Sequence, residues 1–146
     1  MPRIKLELPA CTLFECEIAV RISDINYGNH LANDALLGLL HEARLQWLRS
    51  LGFQNELDLG GAGLILCDAS LVFLHEAFYG DLLHIRLAVD EISRAGFELY
   101  YDVTTQDRSI AKAKTSMASF SYTKRKIISL PESFRQILVS SGALVS

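Results

Sequence analysis

From Phe14 to Ser23 the chain reads FECEIAVRIS, apolar and polar by turns, which is the period of a strand with one covered face. The alternation then breaks at a polar turn. Beyond it, Leu36, Leu37, Leu39, Leu40, Leu45, Trp47, Leu48 and Leu51 crowd one helical stretch. They are too dense for a single narrow stripe, so a helix here is expected to be wrapped by other elements. Asn33 or Asp34 is positioned to cap it, because either side chain can accept a bond from a free first-turn amide. Gly52 is positioned to end it. Glu42, Arg44 and Arg49 interrupt the apolar run, which falls short of the ~20 residues of a membrane span.

After Gly60-Gly61-Ala62-Gly63 the period becomes that of strands. Leu64 to Phe78 is β-prone, with Leu71, Phe73 and His75 on one side. Tyr79-Gly80-Asp81 turns the chain into Leu82 to Ile92, where Ile85, Leu87 and Val89 share a face. Ser93-Arg94-Ala95-Gly96 is a hairpin turn before Phe97 to Thr105. Asp107-Arg108-Ser109 turns again into Ile110 to Thr123, a strand rich in Ala, Ser and Thr that leaves room for close approach to its backbone. Leu130-Pro131-Glu132 opens a short helix to about Val139, with Pro131 suited to its first turn. Tight turns give antiparallel pairing. An α+β domain, with an antiparallel sheet curled round one apolar helix, buries every apolar face.

A chain of 146 residues with 50% hydrophobic composition suits one domain, spanning residues 1–146, with a real core. The net charge of −3 gives no electrostatic reason to expect nucleic acid. Cys11, Cys16 and Cys67 lack metal-site spacing and read as reduced thiols. His41, His75 and His84 show no ligand-like grouping, and no metal is expected. The N-terminal stretch has scattered charges and no continuous apolar core, unlike a secretory signal. A cytoplasmic protein with no membrane partner is the expectation.

The polar turn carries the chain's most informative residues. It reads Asp24-Ile25-Asn26-Tyr27-Gly28-Asn29-His30-Leu31-Ala32-Asn33, followed on the helix by Glu42-Ala43-Arg44. This resembles the D-x-D-x-x-G-H-x-N-N turn and E-A-R helix of the hotdog-fold thioesterases of the 4-hydroxybenzoyl-CoA thioesterase type, which include bacterial acyl-CoA thioesterases. Tyr79-Gly80-Asp81, Ser93-Arg94-Ala95-Gly96-Phe97 and Leu130-Pro131-Glu132 match further family turns in order and spacing. The resemblance implies a hotdog fold, with a five-stranded antiparallel sheet wrapped around one long central helix. It implies a homodimer with a continuous sheet, often paired into a homotetramer, and active sites at the dimer interface. The substrate it implies is an acyl-CoA or acyl carrier protein thioester, with coenzyme A part of the substrate rather than a cofactor.

Thioester hydrolysis needs a group to stabilise the oxyanion and a group to activate water. A helix N-terminus serves the first need. The resemblance assigns it to the backbone amide near Asn33. For the second, the family uses the second Asp of its turn, and here that position is Asn26. A carboxamide is neither a base at neutral pH nor a good nucleophile. Asp24, Asp34 and Glu42 are the carboxylates that could substitute. Alternatively, Asn26 holds a water and the oxyanion site supplies most of the rate. A third reading is a protein that binds acyl thioesters without turnover. A dehydratase fits the turn less well.

Asn26, His30 and Asn33 also have a plain role open to them, organising the turn through side-chain bonds to backbone. His30 is the residue there that can titrate near neutral pH. Lys124-Arg125-Lys126 is either a solvated turn or an anchor for the phosphates of coenzyme A. Leu36, Leu37 and Leu40, with Phe73 and Phe78, suggest an apolar acyl pocket.

Overall fold

A computed structural model describes residues 4–141. Strand β1 (Phe14–Ala19) leads through a single 3-10 turn (Ile22–Asp24) to the helix α1 (Asn33–Ser50). Then follow β2 (Gly63–Phe73), β3 (Leu82–Asp90), β4 (Gly96–Thr105), β5 (Arg108–Ser121), the two-residue β6 (Lys126–Ile127) and α2 (Glu132–Val139). The strands form one antiparallel sheet in the order β1-β3-β4-β5-β2, with β6 added on β5. The α+β architecture is the expected one; the sheet gains a short sixth strand. Several strands stop earlier than the sequence pattern suggests. β1 ends at Ala19, because Val20 leaves the sheet to exchange backbone bonds with the 79–81 turn: its N–H donates to Asp81 O (2.9 Å) and its carbonyl accepts from Gly80 N (3.0 Å). β2 ends at Phe73, and His75 to Phe78 form the approach to that turn.

Helix α1 buries Leu36, Leu39, Leu40, Ala43, Arg44, Trp47 and Leu48. It is not wrapped on all sides. Leu37, Gly38, His41 and Glu42 stand exposed along one flank, which corrects the fully enclosed helix expected from composition. At its far end Trp47 meets Phe134 of α2 (ring centroids 5.8 Å) and Phe97 of β4 (6.3 Å). Aromatic contacts of this geometry add to simple burial and fasten α2 over the open end of the sheet.

Helix α1 also carries a charged side chain into the interior. Arg44 is 6% exposed. Its Nε donates to Glu56 Oε2 at 3.2 Å, and the Tyr101 hydroxyl lies 3.1 Å from its Nη1 and 2.7 Å from Thr115 Oγ1. His41 Nε2 sits 2.6 Å from the other Glu56 oxygen. The 52–62 loop, which carries Glu56, is thereby tied to α1.

Among the described residues β2 pairs only with β5, so its other side is an open sheet edge. Ile65, Leu66, Cys67, Asp68 and Ala69 are exposed along it, and the register shifts by a bulge between Leu66 and Asp68.

Candidate active site

The polar turn is a small hairpin pinned to the sheet. Ile25 and Leu31 form an isolated bridge, and Asn26 N–H donates to His30 O at 3.1 Å. Leu31 N–H donates to Ala77 O (2.8 Å), and Ala32 N–H to Asp24 O (3.0 Å). Asn29 closes the turn at φ 66, a left-handed conformation that Asn tolerates better than most residues. Asn26 Oδ1 accepts from Gly28 N–H at 2.9 Å. With its oxygen engaged in the turn, Asn26 offers its NH₂ donors outward. That suits a carbonyl oxygen or a water, not a proton to be abstracted.

The hairpin delivers the chain to α1 in a particular way. The N-cap is Ala32 (φ −77, ψ 148), which has no side-chain acceptor, in place of the expected Asn33 or Asp34 cap. Asn33 is the first helical residue, and its Oδ1 accepts from Asp34 N–H at 3.0 Å. The Asn33 N–H has no acceptor among the described residues. An unfilled donor at the positive end of a helix is what a developing oxyanion needs.

This helix end opens on a cleft of about 330 Å³ lined by Asn26, His30, Leu31 and Asn33 on one side. Phe73, Leu74, His75, Glu76 and Ala77, from the end of β2 and the segment after it, line the other. The structure thus brings together three of the residues singled out in the turn. It adds His75 and Glu76, which the sequence pattern did not connect to the turn. Their signal was only that His75 continues the β2 side of Leu71 and Phe73. The bond that folds the turn against them, Leu31 to Ala77, joins segments far apart in sequence.

The three alternative carboxylates lie elsewhere. Asp24 is buried at 4% exposure and held by Arg21: Oδ2 accepts from its N–H (2.8 Å) and Nε (3.1 Å), Oδ1 from Nη2 (3.0 Å). Hydrogen bonding to Arg21 outweighs burial and pulls the Asp24 carboxyl below the usual carboxylate range, making it a weaker base. Asp34 is exposed in the first turn of α1 and does not line the cleft. Glu42 accepts from Gln46 Nε2 at 2.9 Å and faces a separate groove with Glu17, Arg21 and Gly38.

Of the apolar residues expected to form a pocket, Phe73 lines the cleft. Leu36 and Leu40 belong to the core, Leu37 lines a second groove against β2 with Leu66 and Ala69, and Phe78 is exposed. Lys124 and Arg125, in the turn joining β5 to β6, and Lys126, the first residue of β6, are exposed. That turn follows Phe120, the partner of Gly63 at the start of β2, whereas the cleft lies beyond Phe73 at its other end. At the rise of a β-strand the two are separated by about 33 Å along β2. Among the described residues there is no cluster of side chains suited to a metal ion, and no helix is long and apolar enough to cross a membrane.

Residues 20–138 match the model of the thioesterase-like superfamily. The chain is 33% identical over 106 residues to a 1,4-dihydroxy-2-naphthoyl-CoA hydrolase of Microcystis aeruginosa, covering 70% of this chain and 76% of that one. It superposes on a 1,4-dihydroxy-2-naphthoyl-CoA thioesterase from Synechocystis with a TM-score of 0.77 at 26% identity, covering 86% of this chain and 95% of the other. A hypothetical protein from Aquifex aeolicus gives a TM-score of 0.78 at 26% identity, covering 86% and 98%. The region matched by the family model runs from Val20, just after β1, to Leu138 in the last turn of α2, and so contains the whole cleft. The chain therefore belongs to the thioesterase-like superfamily of hotdog-fold thioesterases.

Proposed function

We propose that this protein hydrolyses an acyl-CoA thioester in the cleft at the N-terminus of α1. The observation that supports this reading most directly is the uncapped helix start: Ala32 supplies no side-chain acceptor, and the Asn33 N–H remains unused beside the Asn26 amide. In the reaction, the thioester oxygen takes up the Asn33 N–H, and Asn26 donates to it or to the attacking water. Donors aimed at a developing oxyanion in a partly dry cleft are among the larger contributions to acyl-transfer rates. Phe73, Leu74 and Leu31 give the acyl group an apolar wall, and an aromatic acyl group stacks well on Phe73. The naphthoyl-CoA relatives favour an aromatic acid.

The working unit in this reading is a dimer. Two β2 edges joined antiparallel about a two-fold axis extend the sheet. They also set the Gly63 end of one strand beside the Phe73 end of the other. The partner subunit's Lys124, Arg125 and Lys126 then stand near this chain's cleft, where the coenzyme A phosphates would emerge. This removes the 33 Å separation within one chain, as the basic-turn assignment requires.

Thiol release from short, medium, long and aromatic acyl-CoAs, 1,4-dihydroxy-2-naphthoyl-CoA included, tests the proposal. Turnover is expected, with the aromatic substrates highest in kcat/KM. Saturable acyl-CoA binding with no thiol release from any substrate would instead support a binding protein. The observation favouring that second reading is Asn26 itself, an amide where the family places a carboxylate.

A further inference from the structure

Of the three carboxylates that sequence offers in place of the missing one, none lines the cleft. The titratable side chains that do are His30, His75 and Glu76. They are not equally placed to act. Among the described residues, neither the His30 ring nor the Glu76 carboxylate has a hydrogen-bond partner. His75 has one: its Nδ1 lies 2.7 Å from the backbone carbonyl of Ser109, at the start of β5.

A carbonyl oxygen can only accept, so Nδ1 carries the proton. In the neutral ring that leaves the lone pair on Nε2. The contact therefore does two things. It holds the imidazole in one orientation, and it selects the tautomer in which the other nitrogen is a base. A third group that orients a catalytic imidazole through Nδ1–H is the arrangement by which histidine bases are made effective in nucleophilic enzymes. Here the orienting group is a backbone carbonyl anchored by the β5 ladder, which side-chain substitutions cannot remove. The charged groups near His75 are Glu76 on its own segment, His30 across the cleft, and Arg108 of β5. Arg108 donates to Glu76 O (3.2 Å) and pairs with Asp81 (3.6 Å).

We infer that His75 is the general base of this site, replacing the carboxylate that Asn26 cannot supply. The inference rests on the thioesterase reading above. In the step it assigns, His75 Nε2 takes a proton from water as the water oxygen bonds to the thioester carbon. The carbonyl electron pair moves onto oxygen, held by the Asn33 N–H. The oxyanion then collapses, the C–S bond breaks, and the imidazolium returns the proton to the departing sulfur. Water and thioester become acid and thiol, and His75 ends as it began.

His75→Asn is the decisive variant, because the Asn amide can still donate to Ser109 O while no basic nitrogen remains. With an acyl-CoA that the wild type turns over, kcat is expected to fall by about 100-fold or more. KM should stay within a few-fold, and the thermal midpoint should be unchanged. The acid limb of the wild-type pH profile should disappear. Added imidazole should restore part of the rate. Retention of kcat within about three-fold, with the acid limb intact, would overturn the assignment while leaving the thioesterase reading standing. So would loss of that limb in Glu76→Gln with His75→Asn unaffected. Silence of the wild type on every thioester would remove both, which separates the two failures. If His75→Asn proves unstable, His75→Gln with the same pH profile and imidazole rescue gives the same decision.

Discussion

The guanidinium of Arg44, on the central helix, donates from Nη1 to the Tyr101 hydroxyl of β4 at 3.1 Å, and both side chains are buried. Burial works against the charge of Arg44. The Tyr101 and Glu56 oxygens more than offset it, so the guanidinium titrates above its ordinary value. Burial likewise pushes the Tyr101 phenol upward, against the pull of Arg44. Removing one partner of such a group leaves the others desolvated and unpaired. Arg44→Ala should destabilise the fold by about 3–5 kcal/mol, and Tyr101→Phe by about 1–2 kcal/mol. Urea unfolding of the two variants and of their double mutant measures this. The double mutant should cost less than the sum of the two, because both act on one network.

Asp24 makes stability depend on acid. Its folded-state pKa lies below the unfolded value, so its contribution is present above the unfolded pKa. That contribution is lost as pH falls through the folded one. An unfolded Asp titrates near about 3.9, so the loss belongs below roughly pH 4. Thermal midpoints of wild type and Asp24→Asn should differ at pH 7 and converge as pH falls through that window. A constant gap from pH 7 to pH 2 would show that the Arg21–Asp24 pair contributes no linkage.

The uncapped start of α1 trades stability for chemistry in the proposed mechanism. Ala32→Asp supplies the missing cap and should stabilise the protein by about 1 kcal/mol. It also places an anionic acceptor where the thioester oxygen is proposed to bind, so kcat should fall at least ten-fold. A variant both more stable and fully active would argue against the helix end as the oxyanion site.

The open edge of β2 and the basic turn can be tested together. Sedimentation should show wild type as a dimer or a tetramer. Ile65→Lys with Leu66→Lys should yield monomer, because edge lysines oppose strand pairing. Loss of pairing should take activity with it. Lys124→Glu with Lys126→Glu should keep the dimer and raise KM for CoA thioesters about ten-fold. It should leave thioesters of a truncated, phosphate-free pantetheine unaffected.

The sheet, its antiparallel turns and the family were legible because local pattern carries them. Leu82 to Ile92 alternates, Tyr79-Gly80-Asp81 turns, and the D-x-N-x-x-N-H spacing survives the change at position 26. What was not legible depends on contacts between distant segments. Asp24 looks like a candidate acid until Arg21 is seen to close over it. Glu42 looks central until the helix is seen to turn that flank toward a different groove. His75 looks idle until the start of β5 brings Ser109 O to its ring. The helix composition overstated burial because Leu37 and His41 sit beside an edge strand that, among the described residues, no other strand pairs with on its outer side.

The two borders of the sheet are unlike. β1, at one border, presents Glu15 and Glu17 to solvent, with His84 Nε2 2.9 Å from Glu15. β2, at the other, presents Ile65 and Leu66 and a bulge. A sheet receptive on both sides would add copies without limit and end as a fibre. This one is receptive on one side and defended by charge on the other. In the proposed β2–β2 dimer, growth by strand addition would therefore stop after a single join, and the assembly would be finite.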